Sequence, residues 1–162
     1  MITRLHNRRH RAQRAGLHLT SYLLGLLMLF CASAQADSSR DFGAHVIHCK
    51  AVPSRSLDGE VAAALGITPL DDSGVLTIAI MEKTEGDDMG RSSQGKVTAH
   101  WSDLTGMMGT IPIREVTKEK AIYYVGEFEL PSSSMMTFDL LISVDESRPP
   151  YRLKFKKKFE ES

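Results

Sequence analysis

Cysteine is scarce in this chain of 162 residues, which holds only Cys31 and Cys49. Cys31 lies in an N-terminal segment that we expect to be removed, so Cys49 would be the one cysteine of the mature protein. An intramolecular disulfide is then excluded, and burial of the Cys49 thiol is the expected outcome. Pairing between chains and a ligand role are the alternatives. Lipidation of Cys31 is disfavoured because the bulky Phe30 precedes it.

The chain also lacks net charge, since its 20 basic and 20 acidic side chains cancel. The first 36 residues contribute five arginines and no acidic residue. Without them, 15 basic residues stand against 20 acidic ones, and the net charge is −5. A mildly acidic chain of this size suits one domain with one core and offers no electrostatic surface for nucleic acid.

Residues 1–36 have the three parts of a secretory signal peptide. Arginines dominate the first 16 residues, an apolar run follows at 19–30, and Ala34-Gln35-Ala36 is an A-x-A cleavage signal. Cleavage there predicts a periplasmic protein that begins at Asp37 and has no membrane insertion. An uncleaved anchor is the alternative, because the run at 17–34 is close to the length of about 18 residues at which a spanning helix becomes possible.

The remainder, residues 37–162, is rich in short strand patterns and nearly lacks helix. Turn signals separate the strands at fairly regular spacing, which predicts a mainly β fold, an antiparallel β-sandwich of about seven strands. A closed barrel is the alternative. One short helix is predicted between the first two strands, with Ser56 as N-cap and Gly66 just after its end. The predicted strands cover residues 44–49, 75–81, 96–101, 110–116, 121–128, 136–144 and 151–156.

Alternation along the strands separates the aromatic residues into two faces. In the last strand Tyr151, Leu153 and Phe155 point inward and basic residues point outward. We interpret those basic residues as edge protection against aggregation rather than as a binding patch. Tyr123 and Tyr124 fall on opposite faces, so one belongs to the core and the other could form an exposed apolar patch. His48, Tyr123 and Tyr124 are the candidate binding residues.

Catalytic motifs are missing from the sequence. There is no G-x-S-x-G elbow, and His48 and Cys49, as neighbours on a strand, point to opposite faces and cannot act as a pair. The acidic pairs Asp71-Asp72 and Asp87-Asp88 lie in segments typical of turns. We therefore expect no enzymatic activity and no cofactor.

A soft-metal site is the sharpest alternative function. His45, His48 and Cys49 combine imidazole and thiolate, and with the methionines of the chain they would suit copper. The spacing argues against a strong site, because His45 and His48 are three residues apart and so face opposite sides of a strand. Residue type is the only support for this hypothesis.

Six segments carry a family resemblance: residues 48–51, 60–62, 66–67, 74–78, 121–128 and 150–159. They resemble a family of short exported proteobacterial proteins, the domain of unknown function DUF4426. The resemblance covers essentially the whole mature chain, residues 41–159, and the segment at 121–128 is its most specific part. It implies an exported, immunoglobulin-like β domain and brings no activity. Cys49 and Lys50 depart from the Tyr-Asn that the family usually has.

Export, size and the missing catalytic motifs together favour a binding module. The preferred hypothesis is a periplasmic sandwich that offers a sheet face or edge to another cell-envelope protein. The soft-metal carrier remains the competing hypothesis.

Overall fold

The computed structural model describes residues 38–84, 87–130 and 135–159. The predicted signal peptide, residues 1–36, lies outside these ranges. The described elements are a short helix, α1 (Gly59–Leu65), a 3₁₀ turn (Ser54–Ser56) and ten strands: β1 (Ser38–Asp41), β2 (His45–Pro53), β3 (Ser73–Thr84), β4 (Asp87–Ser92), β5 (Lys96–Asp103), β6 (Met108–Ile111), β7 (Ile113–Lys118), β8 (Ala121–Glu129), β9 (Met135–Ser143) and β10 (Tyr151–Lys158).

The strands form two antiparallel sheets. Sheet A has six strands in the order β1-β2-β3-β8-β7, with β4 also paired to β3, and sheet B has four in the order β10-β9-β5-β6. Inward-facing side chains of both sheets share one apolar core. The prediction of a mainly β, immunoglobulin-like sandwich with one short helix is confirmed.

The core follows the period-two alternation of each strand. On β2 the fully buried residues are Ile47, Cys49 and Ala51. On β9 every second residue from Met136 to Ile142 is fully buried. Sheet A and sheet B meet where the rings of Phe128 and Phe138 pack edge to face at 5.1 Å. The alternation of apolar and polar residues in the sequence therefore indicates which face of each strand is buried.

The predicted strand at residues 110–116 is divided between the two sheets. β6 pairs with β5 in sheet B and β7 pairs with β8 in sheet A, so the chain changes sheets at Pro112. Proline has no N–H to donate to a ladder, which suits a residue between two strands. Gly126 on β8 lies under this crossing, where a Cβ would come within 2.4 Å of Ile111 Cγ2 and 2.9 Å of the Pro112 carbonyl oxygen.

Two described strands lie outside the predicted ones. β1 precedes the first predicted strand and pairs with β2, and β4 lies between the predicted strands at 75–81 and 96–101 and pairs with β3. β1 is largely exposed and, among the described strands, pairs with β2 alone. An edge strand of this kind buries no apolar face, so its sequence shows no hydrophobic alternation.

Asp58, not Ser56, caps the N-terminus of α1. The Asp58 carboxylate accepts a hydrogen bond of 2.9 Å from the N–H of Glu60. The Ser56 hydroxyl instead donates to the Pro53 carbonyl at 2.7 Å, within the preceding 3₁₀ turn. The predicted end at Gly66 is confirmed, since that residue adopts the left-handed conformation with φ of 64°.

The segment around α1 covers part of the outer face of sheet A. Ile67 packs there with Val75 of β3 and Val125 of β8 in a second, smaller apolar cluster. The Arg114 guanidinium on β7 donates to the carbonyl oxygens of Leu65 and Gly66 at the end of the helix. β3 is consequently buried on both faces where it passes under this segment.

We predict that Gly126→Ala destabilises the protein by about 1–3 kcal/mol, because the added methyl group must displace the backbone at the sheet crossing. Gly59→Ala is the matched control. A Cβ at Gly59, the first residue of α1, meets no atom within 4 Å. The control should be neutral or stabilising by up to about 1 kcal/mol. Urea unfolding measures both, and equal stabilities of the two variants would contradict the close approach at Gly126.

Candidate functional site

β2 separates the predicted metal ligands. His45 and Cys49 share the parity of the inward-facing residues, whereas His48 lies half-buried on the outer side of sheet A. His45 and Cys49 are four residues apart along an extended strand, a separation of about 13 Å. Among the described residues, no group of three or more His, Cys, Asp or Glu side chains is placed to hold a metal ion. The soft-metal hypothesis stays a prediction without geometric support.

Cys49 lies at the centre of the shared core. Its side chain is fully buried among apolar residues of both sheets. Burial raises the pKa of the thiol from 9.0 to about 12, because the thiolate would lose its hydration. At neutral pH the thiol therefore stays protonated, which disfavours nucleophilic attack.

His45 takes part in a contact between the two sheets. Its Nδ1 and the Tyr151 hydroxyl of β10 are joined by a hydrogen bond of 3.2 Å. The Tyr151 ring also stacks on Phe42 with ring centroids 4.6 Å apart. This cluster places the start of β10 beside the start of β2. His45 therefore has a packing role in the contact between the two sheets.

The structure does not bring the three candidate binding residues together. Tyr124 is buried on the inner face, where its hydroxyl accepts a hydrogen bond of 2.8 Å from the Gly95 N–H and donates one of 3.3 Å to Glu115. Burial, and then the charge of Glu115, raise the pKa of Tyr124. Tyr123 lies on the outer face, packed against the cluster under α1. His48 shares that outer face two strands away, at about 10 Å.

A surface that the sequence did not identify lies on the outside of sheet B. The register aligns Lys156 of β10, Thr137 of β9, Ser102 of β5 and Met108 of β6 in one row. The neighbouring row contains Lys154, Asp139, His100 and Thr110 in the same order. Among the described residues, no helix or apolar cluster covers these rows.

The turn between β5 and β6 carries exposed apolar side chains at one end of this surface. Leu104 is 75% exposed, Met107 51% and Met108 78%. Side-chain hydrogen bonds cross the turn, because the Asp103 carboxylate accepts hydrogen bonds of 2.9 Å from the N–H groups of Thr105 and Met107. Ordered presentation lowers the entropy lost when such side chains bind a partner.

Basic residues line the opposite edge of the same surface. Arg152, Lys154, Lys156 and Lys158 alternate along β10 and are all exposed. The sequence shows these basic residues at alternate positions of the last strand. Where they lie on sheet B depends on which strands neighbour β10, and alternation does not encode strand order.

The sequence model of the DUF4426 family, described as a domain of unknown function, matches residues 39–161. A solved structure of a DUF4426 family protein from Pseudomonas aeruginosa is similar, with 25% identity and a TM-score of 0.65, over 80% of this chain and all of the other. Among curated proteins, none gives a significant match. No helix of the described residues has the length and apolar character needed to cross a membrane.

Two structures of FetP from uropathogenic Escherichia coli show a related fold. A copper-bound variant has 11% identity and a TM-score of 0.56, over 76% of this chain and 95% of FetP. FetP recombinantly expressed in the periplasm has 10% identity and a TM-score of 0.52, over 75% and 92%. At these identities the likeness concerns the fold alone.

We predict that the Cys49 thiol makes the protein lose stability at alkaline pH. The unfolded chain releases the thiol proton from about pH 9, whereas the folded protein keeps it until about pH 12. The contribution of the protonated Cys49 thiol to the free energy of unfolding is therefore complete below pH 9 and is lost as the pH rises toward 12. Between about pH 8 and pH 10 the wild type should lose about 1.4 kcal/mol more than Cys49→Ala. Urea unfolding at both pH values measures this difference, and parallel losses would contradict it.

Proposed function

This chain belongs to the DUF4426 family, a family of unknown function, and from that premise we propose that it is a non-catalytic interaction module of the cell envelope. In this proposal the module presents the outer side of sheet B to another envelope protein. We call this side the sheet B surface; it comprises the outward residues of β5, β6, β9 and β10 together with the turn at 103–108.

The distribution of exposed apolar side chains carries the proposal. Six large apolar side chains of the described residues are exposed. Four of them, Leu104, Met107, Met108 and Leu141, belong to sheet B or to its β5–β6 turn. Three of the four lie in or beside the β5–β6 turn, and clustered exposed apolar groups with polar and charged neighbours are typical of protein interaction sites.

The outer faces of the two sheets also differ in how far other segments of the chain cover them. The outer face of sheet A has its own cover, because Ile67 and the segment around α1 pack over Val75 and Val125. The same chain supplies no comparable cover to sheet B within the described residues. An interaction module needs a rigid sheet with one open side, and this arrangement supplies it.

Export supports the choice of partner. The proposed cleavage after Ala36 releases the sandwich outside the cytoplasm, where envelope proteins are the available partners. Catalysis is not part of the proposal, because His48 and Cys49 lie on opposite faces of β2 and cannot act as a catalytic pair. Copper carriage has less support than binding, since the Cys49 thiol is buried and His45 hydrogen-bonds to Tyr151.

We predict that removing apolar side chains from the β5–β6 turn abolishes an adduct formed in cells. The full chain, tagged at its C-terminus, is expressed in its native bacterium and cross-linked mildly with formaldehyde in intact cells. The wild type should give a discrete adduct with one envelope protein. Leu104→Ser combined with Met108→Ser should lose that adduct, because the apolar centre of the interface is gone.

The matched control is Val61→Ser combined with Leu70→Ser, which changes two exposed apolar residues beside sheet A. Both double variants alter exposed positions, so each single change should shift stability by no more than about 0.5 kcal/mol. The control should keep the adduct. Recovery of uncross-linked monomer alone from the wild type, or equal loss of the adduct in both variants, would refute the proposal.

A further inference from the structure

β10 is an open edge of sheet B. Within the described residues it pairs with β9 alone, through an unbroken register of eight residue pairs. Half of the backbone N–H and C=O groups of such a strand point away from its neighbour. β10 contains no proline, and its register shows no bulge that would turn this edge away. The strand therefore has the geometry needed to accept another strand.

The outward side chains of β10 form a regular basic ladder. Its members are Arg152, Lys154, Lys156 and Lys158, and alternate residues of a strand lie about 6.8 Å apart. No carboxylate of the described residues lies within ion-pair distance of any of the four. Asp139 opposite Lys154 is the acidic residue that the register brings nearest. The ladder thus presents four charges with little compensation from the protein itself.

On the basis of the proposed interaction module, we propose that β10 binds an extended acidic segment of the partner. This segment adds to sheet B as a further strand. Alternate carboxylates of that segment pair with the basic ladder. The residues between them are β-branched, apolar ones or threonine, and lie beside Leu153 and the half-buried Phe155, on the inner side of β10. Main-chain hydrogen bonds supply affinity and the alternating side chains supply specificity.

The spacing and the charge of the basic ladder favour an acidic strand over a second copy of this chain or a membrane surface. Carboxylates at alternate positions of a strand repeat at the same interval of about 6.8 Å as the ladder. A second copy of this chain pairing through its own β10 would bring eight like charges together, which opposes association. A membrane surface would contact the whole outer face, including Asp139, and would leave the backbone edge of β10 unused.

The test uses a peptide of alternating residues, Glu-Val-Glu-Thr-Glu-Val-Glu-Thr, with fluorescence anisotropy as the readout. The protein is the full chain expressed and purified as the cell processes it. We expect saturable binding that weakens with added salt, and slower amide hydrogen exchange in β10. Lys154→Glu combined with Lys156→Glu should weaken binding at least about tenfold, because two attractive contacts become repulsive.

The charge reversal also separates binding from edge protection. Glutamate at positions 154 and 156 keeps the edge charged, so the variant should stay monomeric while it loses the peptide. The matched control is Lys118→Glu combined with Lys120→Glu, which makes the same change of net charge at the end of β7 and should bind the peptide normally. Equal weakening in both variants would overturn the proposal.

Three further results would overturn it. A peptide of the same composition with its four glutamates consecutive could bind equally well, which would indicate charge attraction without strand addition. Vesicles of phosphatidylglycerol could capture the protein through the same lysines, which would assign the ladder to a membrane. The alternating peptide could fail to bind while the adduct in cells still depends on Leu104 and Met108, in which case the interaction module stands and the strand addition falls.

Discussion

The packing of two sheets through one shared apolar core determines the rest of this structure. Cys49 from sheet A and Phe138 from sheet B are fully buried in that core, and Phe128 contacts Phe138 edge to face. Face-to-face packing forces every strand to alternate, because each residue points either into the core or away from it. It also explains why the thiol and the histidine next to it have separate environments: Cys49 is inside and His48 is outside.

The same packing leaves each sheet with an outer face, and the two outer faces differ in how much of them is covered. Sheet A is covered in part by the segment around α1, which the Arg114 guanidinium attaches to β7. Within the described part of the chain, sheet B has an uncovered outer face, an apolar turn at Leu104 and Met108, and a basic edge strand. The proposed interaction module follows from this asymmetry rather than from any catalytic group. The acidic character of most of the chain makes the basic edge a local feature.

Period-two alternation made most of the fold predictable from the sequence. It located the strands, set the inward face of β10, and put His45 and His48 on opposite sides of β2. It could not find β1, which buries no apolar face, or the change of sheet at Pro112, which depends on the packing of Gly126 under the crossing. The helix cap was wrong because Ser56 and Asp58 are both good caps, and the 3₁₀ turn at Ser54–Ser56 decides between them.

The candidate site was less accessible to sequence reasoning. Alternation assigns Tyr123 and Tyr124 to opposite faces, yet it does not say that Tyr124 is the one inside. The basic residues of β10 were visible but were interpreted as edge protection only. Their relation to Met108, on the far strand of the same sheet, depends on the strand order β10-β9-β5-β6. Strand order arises from long-range pairing, which a local pattern does not encode.

The most direct measurement of whether the sheet B surface is occupied is thiol accessibility in living cells. In a Cys49→Ala background, Thr98→Cys places a reporter on the exposed outer side of β5, beside Leu141, and Glu127→Cys places one on the exposed outer side of β8. Each reporter is labelled with a maleimide in intact cells and, for comparison, in the purified protein. If the sheet B surface is occupied, the thiol at position 98 reacts several-fold more slowly in cells, whereas the thiol at position 127 reacts equally in both. Equal reactivity of the thiol at position 98 in cells and in the purified protein would contradict an occupied surface.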